Sequence, residues 1–122
     1  MQYVRLYADA AGESHFEDVE VQLHPVNFAP PAPHMDISIP IQASSFMFLG
    51  VPSGWLGDFH PAPKRQFLCC LVGEYEVVAS DGETRKFGPG SLLLAEDTTG
   101  KGHITKITGK EYGVAAVIQL PD

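Results

Sequence analysis

The sequence predicts an all-β fold, and three observations carry that reading: where the glycines fall, which residues lie between them, and the lack of helical periodicity. Gly12 is the one glycine before residue 50, whereas the other eleven fall between Gly50 and Gly113 and cut the chain into short segments. Those segments are rich in Val, Ile, Leu, Phe, Tyr and Thr, which suit a pleated surface. None carries a sustained apolar repeat at helical spacing with caps at its ends. Ten short strands and almost no helix point to a closed or sandwiched β-barrel.

In chain order the strands are expected near 2–8, 17–24, 44–49, 54–60, 66–72, 74–80, 84–87, 91–96, 103–107 and 111–119. Asp81-Gly82 reads as a tight hairpin turn between two of them. Half of the ten prolines lie between Pro25 and Pro40, in HPVNFAPPAPHMDISIP. Proline cannot donate to a ladder, so this stretch is expected as an extended arm without strand pairing, laid over the surface. Phe67–Val72, Leu92–Ala95 and Val114–Ile118 are apolar at both parities, so their strands should be covered on both faces. The cover is either the N-terminal arm or a second copy of the chain, which makes a homodimer the expected assembly.

The length of 122 residues, with 44% apolar and 19% charged, fits a single domain with one core. Residues 1–45 would supply N-terminal strands and the Pro-rich arm, and 46–120 the barrel. Eight basic against fifteen acidic residues give a formal charge of −7, which repels polyanions and argues against nucleic acid or an acidic membrane as partner. The longest apolar run, Phe67–Val72, is six residues, too short for a membrane span, and the N-terminus does not read as a signal peptide. A cytoplasmic protein is the expectation. Cys69 and Cys70 are adjacent and would point to opposite faces of a strand, so they should remain unbridged thiols.

Of the five histidines, only His60 and His103 lie in the glycine-punctuated half. Gly54, His60, Gln66 and Gly73 stand at the offsets of the first motif of the cupin superfamily, and the region of about 50–120 resembles that family. Ala62 stands where the family's second His is usual, and Gln66 where its Glu is usual. The second motif begins at Gly90, has Glu96 in place of Pro, and reaches His103 two residues late through DTTGKGH. The resemblance implies a cupin-like double-stranded β-helix, or jelly-roll barrel, in which the two motifs face each other inside the barrel. His60, Gln66 and His103 would then converge as ligands of a divalent transition metal: Zn, Fe, Mn, Ni or Cu.

Two imidazoles and an amide bring no negative charge, so a carboxylate is expected to complete the set. Asp58, two residues before His60, and Glu96, in the second motif, are the candidates, as metal ligand or general base. Trp55 would wall the pocket or fill the core, and Arg65, with Lys64, would stand at the barrel mouth to draw in a carboxylate-bearing substrate. Asp97, Thr98 and Thr99 read as turn residues that shape the loop before His103. The string Gly100-Lys101-Gly102 lacks the first glycine, the Ser or Thr and the helix of a phosphate loop, and no GxSxG or HExxH occurs. The expected function is a divalent-metal-dependent enzyme on a small polar metabolite. The alternatives are a metal-free module that binds or senses a small ligand, and a structural dimeric module.

Overall fold

The computed structural model describes residues 1–122 and contains eleven strands and no helix. In order they are β1 (Gln2–Ala8), β2 (Ser14–Glu20), β3 (His24–Val26), β4 (Met35–Ile37), β5 (Ser45–Val51) and β6 (Gln66–Val72). There follow β7 (Tyr75–Ala79), β8 (Thr84–Phe87), β9 (Leu92–Ala95), β10 (His103–Ile107) and β11 (Gly113–Gln119). Six strands form one sheet in the order β2-β1-β9-β6-β11-β5, and three form a second in the order β10-β7-β8. All pairings are antiparallel except β1 with β9.

The two larger sheets face each other across one core. Leu6, Phe16, Cys70, Leu93 and Ala115 from the large sheet meet Tyr75, Val77, Ala79, Phe87 and Ile107 from the small one. Alternation decides which side chains turn inward: Leu68 and Cys70 on β6 line the interior, whereas Phe67 lies on the outer face. On that outer face Phe67, Leu94 and Leu120 make a second cluster with Tyr3, Leu92 and Ile118 packed beside it. Ser38 and Ile41 of the arm border the same groove, but Leu71 and Val72 stay exposed. The arm therefore covers part of the outer face of these strands.

Two expectations about elements need correction. The proline-rich stretch was expected without pairing, yet β3 and β4 form a two-stranded antiparallel ladder, His24 with Ile37 through Val26 with Met35. A hairpin of three residues a side has room for Pro25 because an edge position does not require its missing N–H. The segment 54–60, expected as a strand, is irregular and touches β10 only through the bridges Leu56 with Lys106 and His60 with His103. Gly54, at a φ of +80°, turns the chain before a ladder can form. The hairpin turn at Asp81-Gly82 is present, with the Gly82 N–H donating to Ala79 O and a φ of +96°. Cys69 and Cys70 are both free thiols, and burial pushes Cys70 above its ordinary range.

Candidate functional site

A cavity of about 180 Å³ opens between the two sheets, and twelve of its seventeen lining residues are hydrophobic. Its polar side chains include His60, Gln66, Tyr75, His103 and Thr105, and its walls include Trp55 and Ala62. The histidines, 43 positions apart in sequence, are brought together by a single antiparallel bridge. His60 N–H donates to His103 O at 3.1 Å, and His103 N–H donates to His60 O at 3.0 Å. Their ring centroids are 4.8 Å apart. Gly102 permits this approach: its φ is +75°, and a Cβ there would run into the His60 carbonyl.

Each imidazole is oriented by a hydrogen bond at Nδ1. His103 Nδ1 lies 2.6 Å from Asp97 Oδ2, and His60 Nδ1 lies 2.8 Å from the Asp58 carbonyl oxygen. A carboxylate and a carbonyl only accept, so Nδ1 carries the proton in both rings. The Nε2 atoms are left without protein partners. Asp97 is wholly buried, and its Oδ1 has no partner. A buried carboxylate with a single hydrogen bond is costly unless that bond is strong, so His103 and Asp97 form one unit.

Asp97 is the residue that sequence reasoning missed, having assigned it to the turn. Its signal was parity: Ala95 lines the interior, so Asp97, two residues on, shares that side. The same parity sends Glu96 outward, where it binds Arg5 Nε at 2.5 Å and Arg65 Nε at 2.7 Å. Burial pushes the Glu96 carboxyl up, but the two guanidiniums outweigh it and hold the group below its ordinary value. Glu96 and Arg65, expected in the pocket, thus form an ion-pair network on the outer face, since Gln66 points inward and Arg65 precedes it. Asp58 is exposed and meets His60 through its backbone, because 54–60 is not a strand and two-residue alternation does not hold there.

The donors fall short of a metal centre. No three His, Cys, Asp or Glu side chains converge, and Gln66 Oε1 accepts a hydrogen bond from Gln119 Nε2 at 3.1 Å. With Glu96 and Asp58 outside the pocket, a divalent ion would sit on two neutral nitrogens within a largely apolar wall. The nearest carboxylate, Asp97, would reach such an ion only through the His103 ring. The arrangement suits hydrogen-bond recognition better: two fixed imidazole edges at one end of an apolar hollow.

No family model and no curated protein matches the sequence. Among solved structures, the Schizosaccharomyces pombe Cnp3 cupin domain is similar over 100% of this chain and 83% of its own, at 15% identity and a TM-score of 0.50. A conserved Streptococcus pyogenes protein of unknown function, SPY1581, is similar over 70% of this chain and 71% of its own, at 19% identity and a TM-score of 0.50. At these identities the likeness concerns the path of the backbone, and together with the facing sheets and the opposed histidines it establishes that this chain has a cupin-like, all-β jelly-roll fold.

Proposed function

We propose that the barrel binds a compact, mostly apolar molecule whose polar end carries a hydrogen-bond donor. The observation that carries this reading is the His103–Asp97 hydrogen bond at 2.6 Å beside a mainly hydrophobic cavity of about 180 Å³. For comparison, an engineered apolar cavity of roughly 150 Å³ holds benzene. With Nδ1 protonated, the neutral His103 ring offers the Nε2 lone pair to an O–H or N–H of the ligand.

The test is calorimetric titration with 4-methylphenol, which has an apolar ring and one donor, alongside metal analysis of the purified protein. Wild type is expected to bind the phenol, and His103→Ala to bind it at least tenfold more weakly while keeping its fold. A stoichiometric divalent metal, lost in His60→Ala and His103→Ala, would overturn this reading in favour of a metal-dependent enzyme. Absence of phenol binding by wild type would overturn it as well.

The partner in assembly is, on the same footing, a second copy of the chain. Strand β5 lies at the edge of the large sheet, and its run Phe46-Met47-Phe48-Leu49 is exposed. One edge of β5 pairs with β11, which leaves a row of backbone donors and acceptors on the other. Antiparallel pairing of β5 with its own copy satisfies those groups and covers the phenylalanines by one twofold operation.

A further inference from the structure

We propose that the β3–β4 hairpin of each protomer docks on the outer face of β5 in a second copy of the chain, so that two copies exchange their arms. This rests on the second-copy reading above and adds to the β5 edge a surface which that reading does not use. The hairpin has nothing of its own chain to lie on. The Val21 N–H donates to Met1 O and the Ser44 N–H to Gln119 O, and between them no hydrogen bond joins residues 22–43 to the body. Two strands of three residues are not stable alone in water, so this ladder needs a surface beneath it. Alternation gives it an apolar face: Val26 opposite Met35 and His24 opposite Ile37 turn one way, and Pro25 opposite Asp36 turns the other. Val26 and Met35 nonetheless stay exposed.

The complementary surface is on β5. Ser38 and Ile41, at the root of the hairpin, border the outer groove beside Ile118, and Ile118 pairs with Phe46. The hairpin therefore leaves the body on the face that carries Phe46 and Phe48. Within one chain both apolar surfaces are left open; a twofold axis lets each hairpin meet the other copy's phenylalanines. Their contact buries no ion, because β5 has no charged residue and Asp36 turns away from the apolar face. The area is sufficient. Val26, Phe28, Met35 and Ile39 of the arm, with Phe46 and Phe48, are 42–76% exposed. At about 200 Å² for a large apolar side chain they present roughly 700 Å² per copy before any backbone is counted, against the ~800 Å² that each partner gives to a standard interface.

Two measurements on the full chain test the exchange. In sedimentation equilibrium, Val26→Glu with Met35→Glu is expected to weaken the dimer by about tenfold or more relative to wild type, while Asp36→Ala, on the opposite face, leaves it as tight. In amide hydrogen exchange, residues 24–37 should be protected in the wild-type dimer and lose that protection in the Phe46→Glu, Phe48→Glu protein. A wild-type dimer whose dissociation constant is unmoved by the hairpin substitutions overturns the inference while the β5 edge reading stands. Protection of 24–37 that persists in a monomer overturns it as well, since the hairpin then lies on its own barrel. If wild type is a monomer, the second-copy reading fails first and takes this inference with it. The exchange measurement decides the matter even if the substituted hairpin melts.

Discussion

A single side chain shows how the charged surface is organised. His15 meets Asp9 Oδ2 through Nε2 at 2.7 Å and Asp81 Oδ2 through Nδ1 at 2.9 Å, an arrangement that satisfies both nitrogens only when both carry protons. The hydrogen bond to Asp9, followed by that to Asp81, raises His15 above its ordinary 6.5. In turn the hydrogen bond from His15, helped by the Glu13 and Ala11 backbone N–H groups, holds Asp9 below its ordinary 3.8. A raised histidine stabilises fully below its unfolded value and loses that contribution as pH climbs through the folded one. A lowered aspartate stabilises fully above its unfolded value and loses its contribution as pH falls through the folded one. The pair therefore contributes most between pH 3.8 and 6.5. Urea unfolding of wild type and His15→Gln across pH should show their stability difference widest in that window and shrinking above it; a difference flat from pH 5 to 9 would contradict the assignment. No reading of spacing pointed to this cluster, because Asp81 is 66 positions from His15 and only the fold brings them together.

At the scale of elements, β5 has the most direct consequence. Six of its seven residues are exposed, and Phe46 and Phe48 pack edge to face at 5.2 Å on one side of it. If this edge joins two copies, Phe46→Glu with Phe48→Glu should give a folded monomer, where wild type sediments as a dimer. A wild-type monomer in analytical ultracentrifugation would remove the second copy from the account. Four strands were legible directly from the turn residues that bound them: 2–8, 66–72, 84–87 and 103–107 match β1, β6, β8 and β10 at both ends. Segment 54–60 was not, because Trp55, Leu56 and Phe59 supply apolar and aromatic residues suited to a strand while Gly54 and Gly57 let the backbone leave the sheet. Gly57 also lies against Trp55, where a Cβ would meet the indole at 2.9 Å. Sequence left open whether the arm covers its own barrel or a second copy; in the fold only Ser38 and Ile41 of it border the outer groove, and its short β3–β4 ladder was hidden by prolines that a two-stranded edge tolerates.

For the molecule as a whole, the N-terminal strands belong to the barrel's main sheet. β1 pairs with β2 on one side and, in parallel, with β9 on the other, and Leu6 is fully buried in the shared core. Leu6→Ala is expected to cost about 2–5 kcal/mol, as for other buried leucines. Thermal unfolding would show it, and a loss under 1 kcal/mol would mean that β1 is peripheral. The sequence by itself determined the class of fold and the glycine framework, because strand propensity and turn chemistry are local properties of a chain, whereas the meeting of His60 with His103 was an expectation from the family resemblance that the fold bears out. Only the tertiary structure decided which charges belong to the pocket. Whether Glu96 or Asp97 faces inward turns on a one-residue step of alternation, and whether Asp58 acts through its side chain or its carbonyl turns on whether 54–60 joins the sheet. Both depend on contacts between segments far apart in the chain, which burial and hydrogen bonding settle together.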